Sequence, residues 1–200
     1  MPYSTKKTLK NRLIIGITGA SGVIYGRRIL EVLRDLKEVE THLIITKYGK
    51  RLIESELGVK GEEIERLADF SYDDEDMEAP PASGSFEVKG MIVIPCSIKT
   101  LSAISISYSP NLLVRAADVT LKERRPLVLV VRETPLHTGH LELMLRVSKM
   151  GGVIMPASPG FYSSPSSIND LVDFIVGKAL VQAGIPTPIL KKWKGNPSIV

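Results

Sequence analysis

Unbroken apolar runs recur along this chain, and each gives way to a stretch in which apolar residues fall three or four apart. The first run, Leu13-Ile14-Ile15-Gly16-Ile17, predicts a strand buried on both faces, because no polar residue alternates with the β-branched ones. From Gly22 to Leu36 the period turns helical, with Ile29, Val32, Leu33 and Leu36 on one face. His42 to Thr46 predicts a second strand and Gly49 to Leu57 a second helix. Val59 to Val88 shows no clear period and predicts an irregular segment. Met91 to Pro95 is a third strand, followed by helices from Lys99 to Ser105 and from Asn111 to Glu123. Leu127 to Val131 is the clearest strand, His137 to Met150 a helix, Gly152 to Met155 a short strand, and Ser166 to Ala183 a last helix. Beyond Gly184 the prolines predict an irregular tail.

Strands that alternate with helices along a whole chain imply a mainly parallel, doubly wound α/β sheet with helices on both faces. In such sheets ligands bind beyond the carboxyl ends of the strands, near the switch in strand order. The segments placed there are Thr18-Gly19-Ala20-Ser21-Gly22, Thr46-Lys47, Pro95-Cys96-Ser97-Ile98-Lys99-Thr100, Arg132-Glu133-Thr134-Pro135 and Pro156 to Tyr162. Glycines let the backbone approach a ligand, and the start of the following helix offers N–H groups and a positive dipole end to an anion. Turns use Gly, Pro and Ser in any case. That general preference does not account for an Arg132-Glu133 pair where the sheet opens.

On the helix from Asn111 to Glu123, Arg115, Asp118 and Lys122 share a face on an otherwise apolar helix. Two readings stand: an internal Arg115–Asp118 ion pair, or a cationic wall over a phosphate pocket. His137 and His140 read as surface residues of a helix, since no third metal ligand stands out. Cys96 reads as a small packing residue with no histidine placed to activate it.

Composition narrows the field. The chain has 200 residues, 44% hydrophobic and 24% charged, which suits one soluble globular domain. A formal charge of +4, with no basic stripe interleaved with aromatics, argues against nucleic acid. The acidic run Asp73-Asp74-Glu75-Asp76 reads as a solvated face. A single cysteine excludes an intrachain disulfide, and no apolar run approaches the roughly 20 residues that span a bilayer. The basic N-terminus leads into a strand pattern and not a signal-peptide core, so a cytoplasmic location is expected and no membrane partner.

Five motifs in order carry a resemblance: G-x-T-G-A-S-G-x-x-Y-G (Gly16 to Gly26), P-P-A-S-G-S (Pro80 to Ser85), P-C-S-x-K-T-L-S (Pro95 to Ser102), R-A-A-D-V-x-L-K-E-R-R-P-L-V-L-V-x-R-E-T-P (Arg115 to Pro135) and P-G-F-Y (Pro159 to Tyr162). With them the chain resembles the UbiX/Pad-type flavin prenyltransferases from Leu13 to about Trp193. The resemblance implies a flavodoxin-like, Rossmann-like three-layer fold and a single domain over 1–200, with a core at 12–184. The tail at 185–200 is implied to lie at a subunit interface of a homododecamer. It implies transfer of a dimethylallyl group from dimethylallyl monophosphate to N5 and C6 of reduced FMN, with no metal. The prenylated FMN would then serve a UbiD-type decarboxylase.

By position, the FMN contacts implied are Gly19, Ala20, Ser21, Thr46, Ser97, Ile98, Lys99, Thr100 and Arg132. The prenyl-phosphate contacts implied are Lys122, Arg132, Glu133, Tyr162 and Lys178, with Glu56 and Arg115 lining the region. Cationic Lys122, Arg132 and Lys178 would stabilise the leaving phosphate. Glu133 would carry its proton, and Ser21 would relay the proton lost on ring closure. Rival readings are a flavin-dependent cysteine decarboxylase of the same fold, a non-catalytic FMN carrier, and direct decarboxylation. The first lacks its signature here, since the corresponding loop reads Pro95-Cys96-Ser97-Ile98-Lys99 and His42 lies inside a strand.

Overall fold

A computed structural model describes residues 11–190. In chain order the elements are β1 (Asn11–Ile17), α1 (Val23–Leu36), β2 (Val39–Ile45), α2 (Lys47–Leu57), α3 (Gly61–Glu65), β3 (Phe70–Asp73), a 3-10 turn (Pro80–Ala82), β4 (Gly90–Cys96), α4 (Ile98–Ser105), α5 (Leu112–Lys122), β5 (Leu127–Val131), α6 (Thr138–Lys149), β6 (Val153–Pro156) and α7 (Ile168–Gln182). Every expected strand and helix is present. The segment from 59 to 88 is less irregular than its composition suggests, because it holds α3 and the edge strand β3.

The strands form one sheet in the order β3-β2-β1-β4-β5-β6, with each neighbouring pair parallel. The order reverses between β1 and β4. Setting aside the four-residue β3 leaves the flavodoxin order, so the expected fold is the one observed.

Alternation along the strands divides the core into two layers. Leu13, Ile15 and Ile17 of β1 point with Ile92 and Ile94 of β4 toward α1, α2 and α7, where Ile29, Leu33, Ile53 and Val176 complete the cluster. Ile14, Met91, Val93 and Leu129 point the other way, onto Leu101, Leu113, Ala116 and Val147 of α4, α5 and α6. Both faces are covered, which is why the strands read as apolar runs. Gly26 lets α1 approach closely: a Cβ there would stand 2.6 Å from Ile17 Cδ1 and 2.8 Å from the Ile94 carbonyl oxygen.

His42 of β2 is buried among aromatic rings. It stacks on Phe70 at 5.0 Å and on Tyr72 at 5.8 Å, and Phe86 meets it edge-on at 4.9 Å. Its ring nitrogens lie 2.8 Å from Tyr72 Oη and 3.0 Å from Glu40 Oε1, which also accepts from Arg12 Nε. Burial pushes the imidazole below its ordinary value of 6.5, and Glu40 opposes that shift. Below that value the unfolded chain takes up a proton that the folded chain resists, so stability falls as the pH drops. Denaturant titrations at about pH 7.5 and about pH 5.5 should show this as a slope of up to about 1.4 kcal/mol per pH unit. His42→Phe should flatten it; an equal slope in that variant would clear His42 as the cause.

Candidate functional site

At the carboxyl ends of β1, β2 and β4, beside the reversal in strand order, lies a cleft of about 670 Å³. Its volume is within the range of about 300–1,000 Å³ usual for small-molecule sites. One wall comes from the strand ends: Gly19, Thr46, Ser97, Ile98, Lys99, Thr100 and Glu133. The other comes from elements that follow β3 and α4, among them Asp74, Glu75, Tyr108, Asn111 and Val114.

The strand-end wall is held by a buried threonine. Thr18 Oγ1 donates to the Pro95 carbonyl at 2.9 Å and accepts from the Ser97 N–H at 2.8 Å, tying the loop after β1 to the loop after β4. Thr18→Val keeps the shape and strands the Ser97 N–H without its acceptor. A loss of about 1–3 kcal/mol is expected. Affinity for the cleft's ligand should weaken with it, because both loops form the cleft. A variant that melts and binds like the wild type would show the tie to be dispensable.

Four helices start around these loops, and they differ in what occupies their first N–H groups. α2 is capped by Thr46, whose hydroxyl accepts from Gly49 N–H at 3.1 Å, and α4 by Ser97, whose hydroxyl accepts from Thr100 N–H at 3.3 Å. Both caps are neutral and both line the cleft. α1 begins at Gly22 with φ of 96°, a conformation that favours glycine, and its first turn carries a carboxylate. Glu56 Oε2 accepts from Gly22 N–H at 2.9 Å and Val23 N–H at 3.3 Å. The expectation that the α1 start offers its N–H groups to a ligand anion is therefore corrected: Glu56 already occupies it, next to the exposed Ser21. α5 likewise carries a carboxylate, from Asp74.

Arg132 and Glu133 follow β5. The Arg132 N–H donates to the Cys96 carbonyl at 3.1 Å, which holds the Arg132 backbone against the residue that precedes the Ser97 cap of α4. Arg132 Nε is buried and has no hydrogen-bond partner among the described residues. A guanidinium nitrogen shut from water and left unbonded is costly unless an anion meets it. Glu133 is exposed at the cleft, where Oε1 accepts from Thr134 N–H at 3.0 Å.

Other expected site residues lie elsewhere on the protomer. Arg115 realises the ion-pair reading, with Nη1 3.3 Å from Asp118 Oδ2 and Nε donating to the Ala82 carbonyl at 3.1 Å. Lys122 pairs with Glu123 and lines a depression with Pro126, Gly151 and Val153, at the amino ends of β5 and β6. Tyr162 and Lys178 both meet Phe174, with ring centroids 5.7 Å apart and a Lys Nζ to ring distance of 5.8 Å, along the edge of β6 and α7. Within one chain these cations do not form the single wall that their shared chemistry suggests. The sheet separates them: Lys122 and Glu133 sit at opposite ends of β5. The segment bearing Tyr162 is fastened to α7 by Asp170, whose carboxylate accepts from the N–H and hydroxyl groups of Ser166 and Ser167 and is thereby lowered to about 2.

Cys96 faces the core, and burial pushes its thiol up to about 12, so it packs and does not attack. The His137 and His140 rings lie 3.6 Å apart. Among the described residues no three His, Cys, Asp or Glu side chains are grouped to hold a metal ion. No helix among those residues is long and apolar enough to cross a membrane. Trp193 and the basic tail around it lie outside the described residues.

Sequence reasoning missed the outer wall. Asp74 belongs to the acidic run that reads as a solvated face, yet it is half-buried; burial raises its carboxyl while Leu113 N–H and the Asn111 amide pull it down. Tyr48 was also missed. It stands at the cleft with Arg51 at 5.2 Å and Lys99 at 5.6 Å from its ring.

The chain matches known proteins in both sequence and fold. The family model described as Flavoprotein matches residues 2–180. The flavin prenyltransferase UbiX of Escherichia coli (strain K12) is 50% identical over 186 residues, covering 92% of this chain and 98% of that protein. Among solved structures, AnUbiX in complex with FMN and dimethylallyl pyrophosphate superposes with a TM-score of 0.91 at 44% identity, over 94% of this chain and 99% of that one. A dodecameric FMN-dependent UbiX-like decarboxylase from Escherichia coli O157:H7 gives 0.89 at 46% identity, over 92% and 100%. The cypemycin decarboxylase shares the fold alone, with a TM-score of 0.64 at 14% identity over 86% and 93%.

Proposed function

The chain belongs to the UbiX/Pad-type flavin prenyltransferases, and we propose that its cleft holds reduced FMN while a dimethylallyl group is moved onto it from dimethylallyl monophosphate. The enzyme is a flavin prenyltransferase that yields prenylated FMN. The observation that carries the site assignment is the pair of neutral hydroxyl caps, Thr46 and Ser97, that line the cleft at the starts of α2 and α4, and Arg132 Nε, buried without a hydrogen-bond partner among the described residues, supports it. Ser97, Thr100 and Arg132 hold the flavin phosphate, Thr46 supplies a further hydroxyl, and Gly19, Ala20, Ile98 and Lys99 line the flavin. When bound, FMN supplies the nucleophilic N5 and C6 positions to which the prenyl group is joined.

The chain's own groups manage charge and protons. Glu133 holds the proton that the departing prenyl phosphate takes up. Ser21, exposed on the loop that Glu56 anchors, relays the proton lost on ring closure. Lys122, Tyr162 and Lys178 grip the prenyl phosphate, and Arg115 stays near that seat through Asp118. Since the sheet keeps Lys122 from Glu133, the prenyl-phosphate seat is completed between subunits of a homododecamer. The assembly of the Escherichia coli O157:H7 relative supports this reading. The assignment of 1–200 to one domain and of a tail at 185–200 to a subunit interface falls in part on residues 1–10 and 191–200, outside the described residues, and the product is proposed to pass to a UbiD-type decarboxylase. A cytoplasmic location suits an acceptor that must stay reduced and a lone cysteine kept as a buried thiol.

Anaerobic incubation of the protein with reduced FMN and either dimethylallyl monophosphate or dimethylallyl pyrophosphate, followed by mass measurement of the flavin, tests the reading. One added dimethylallyl unit is expected with the monophosphate. FMN recovered unchanged with both donors would leave a flavin carrier instead.

A further inference from the structure

The α5 start opens on the same cleft as the α2 and α4 starts, yet it is closed in a different way. Asp74 Oδ1 accepts from Leu113 N–H at 3.1 Å, the Asp74 carbonyl accepts from Leu112 N–H at 2.8 Å, and Asn111 Oδ1 accepts from Val114 N–H at 3.1 Å. The Asn111 amide in turn donates to Asp74 Oδ2 at 2.7 Å. The first three N–H groups of α5 are therefore satisfied from within the chain, one of them by a carboxylate. No carboxylate bonds to the first turn of α2 or α4 among the described residues. A helix start attracts anions, and three of them around one cleft would offer a phosphate-bearing ligand more than one seat.

We propose that Asp74 is an orientation determinant for the flavin: it occupies the α5 start with a built-in anion, so that phosphate can seat only at the α2 and α4 starts across the cleft. The flavin then enters phosphate-first toward Ser97, and its uncharged part lies along the Asp74–Asn111 wall. This rests on the reading that the cleft holds FMN. It assigns Asp74 a positioning role and no part in bond making.

The test uses the purified full-length protein freed of flavin, with riboflavin as the fluorescent ligand and inorganic phosphate as the probe. Phosphate should leave riboflavin binding by the wild type unchanged, because its seat lies apart from the ring wall. Asp74→Asn keeps an acceptor for Leu113 N–H and removes the charge. Saturating phosphate should then weaken riboflavin binding about three- to tenfold. Adding Asn111→Asp returns a carboxylate to the same helix start and should restore indifference to phosphate. Indifference in Asp74→Asn, or phosphate sensitivity that persists in the double variant, overturns the proposal. So does a loss of riboflavin binding in Asp74→Asn without phosphate that the double variant does not recover. A wild type that fails to bind FMN overturns the flavin reading as well, whereas one that binds FMN alongside indifferent variants overturns this inference alone.

Discussion

Glu133→Gln is expected to lower prenyl transfer by about 10²–10⁴-fold while FMN stays bound. Glutamine has the same shape and keeps an oxygen to accept from Thr134 N–H, a contact that measures 3.0 Å to Glu133 Oε1. The loop after β5, and with it Arg132, therefore has no reason to move. What is lost is a group that can take and release a proton at the cleft. Rapid-quench turnover under anaerobic conditions, with FMN affinity measured in parallel, separates the two effects. Turnover equal to the wild type would remove Glu133 from the mechanism, and a loss of FMN would make it a binding residue.

A larger contrast is expected from mixing two defective chains. Lys122→Ala removes a cation from the amino end of β5, and Glu133→Gln disables the carboxyl end. Each variant alone should be slowed at least about a hundredfold, the scale of a lost electrostatic or proton-transfer contact. Co-assembled in equal amounts, they should recover activity, because a seam that takes Lys122 from one chain and Glu133 from another is intact in about a quarter of random pairings. Mixed oligomers as inactive as either parent would place both residues in one chain's site. That result contradicts the sheet geometry and would sink the shared-seam reading.

The strand-end wall of the cleft was legible in the sequence. Thr46, Ser97 and Glu133 each follow an apolar run, and in a parallel sheet that position alone puts them at one end. The helix boundaries were legible for a similar reason, since Thr46, Ser97, Asn111 and Ser167 are all capping residue types and all accept from their helix's first turn. β3 escaped because Phe70-Ser71-Tyr72-Asp73 is short and half polar, as an edge strand can be. Asp74 escaped because its meaning comes from Asn111 and Leu113, on an element beyond β4 and α4, so an acidic run looked solvated. The helical spacing of Arg115, Asp118 and Lys122 did set them on one side of α5. Spacing could not show that this side faces away from the cleft, which depends on how α5 lies on the sheet.

The unbonded Nε of Arg132 has a consequence outside catalysis. A nitrogen that lacks a partner among the described residues but could bond water once unfolded tilts the flavin-free protein toward unfolding. On the reading that Arg132 holds the flavin phosphate, bound FMN would remove that bias and add its own mass-action term, about 2.7 kcal/mol at a ligand level one hundred times the dissociation constant. Flavin supply would thereby be coupled to the lifetime of the polypeptide. Chains made in excess of flavin would then open more often and meet proteases sooner, and limited proteolysis with and without FMN should show slower cleavage of the loaded protein.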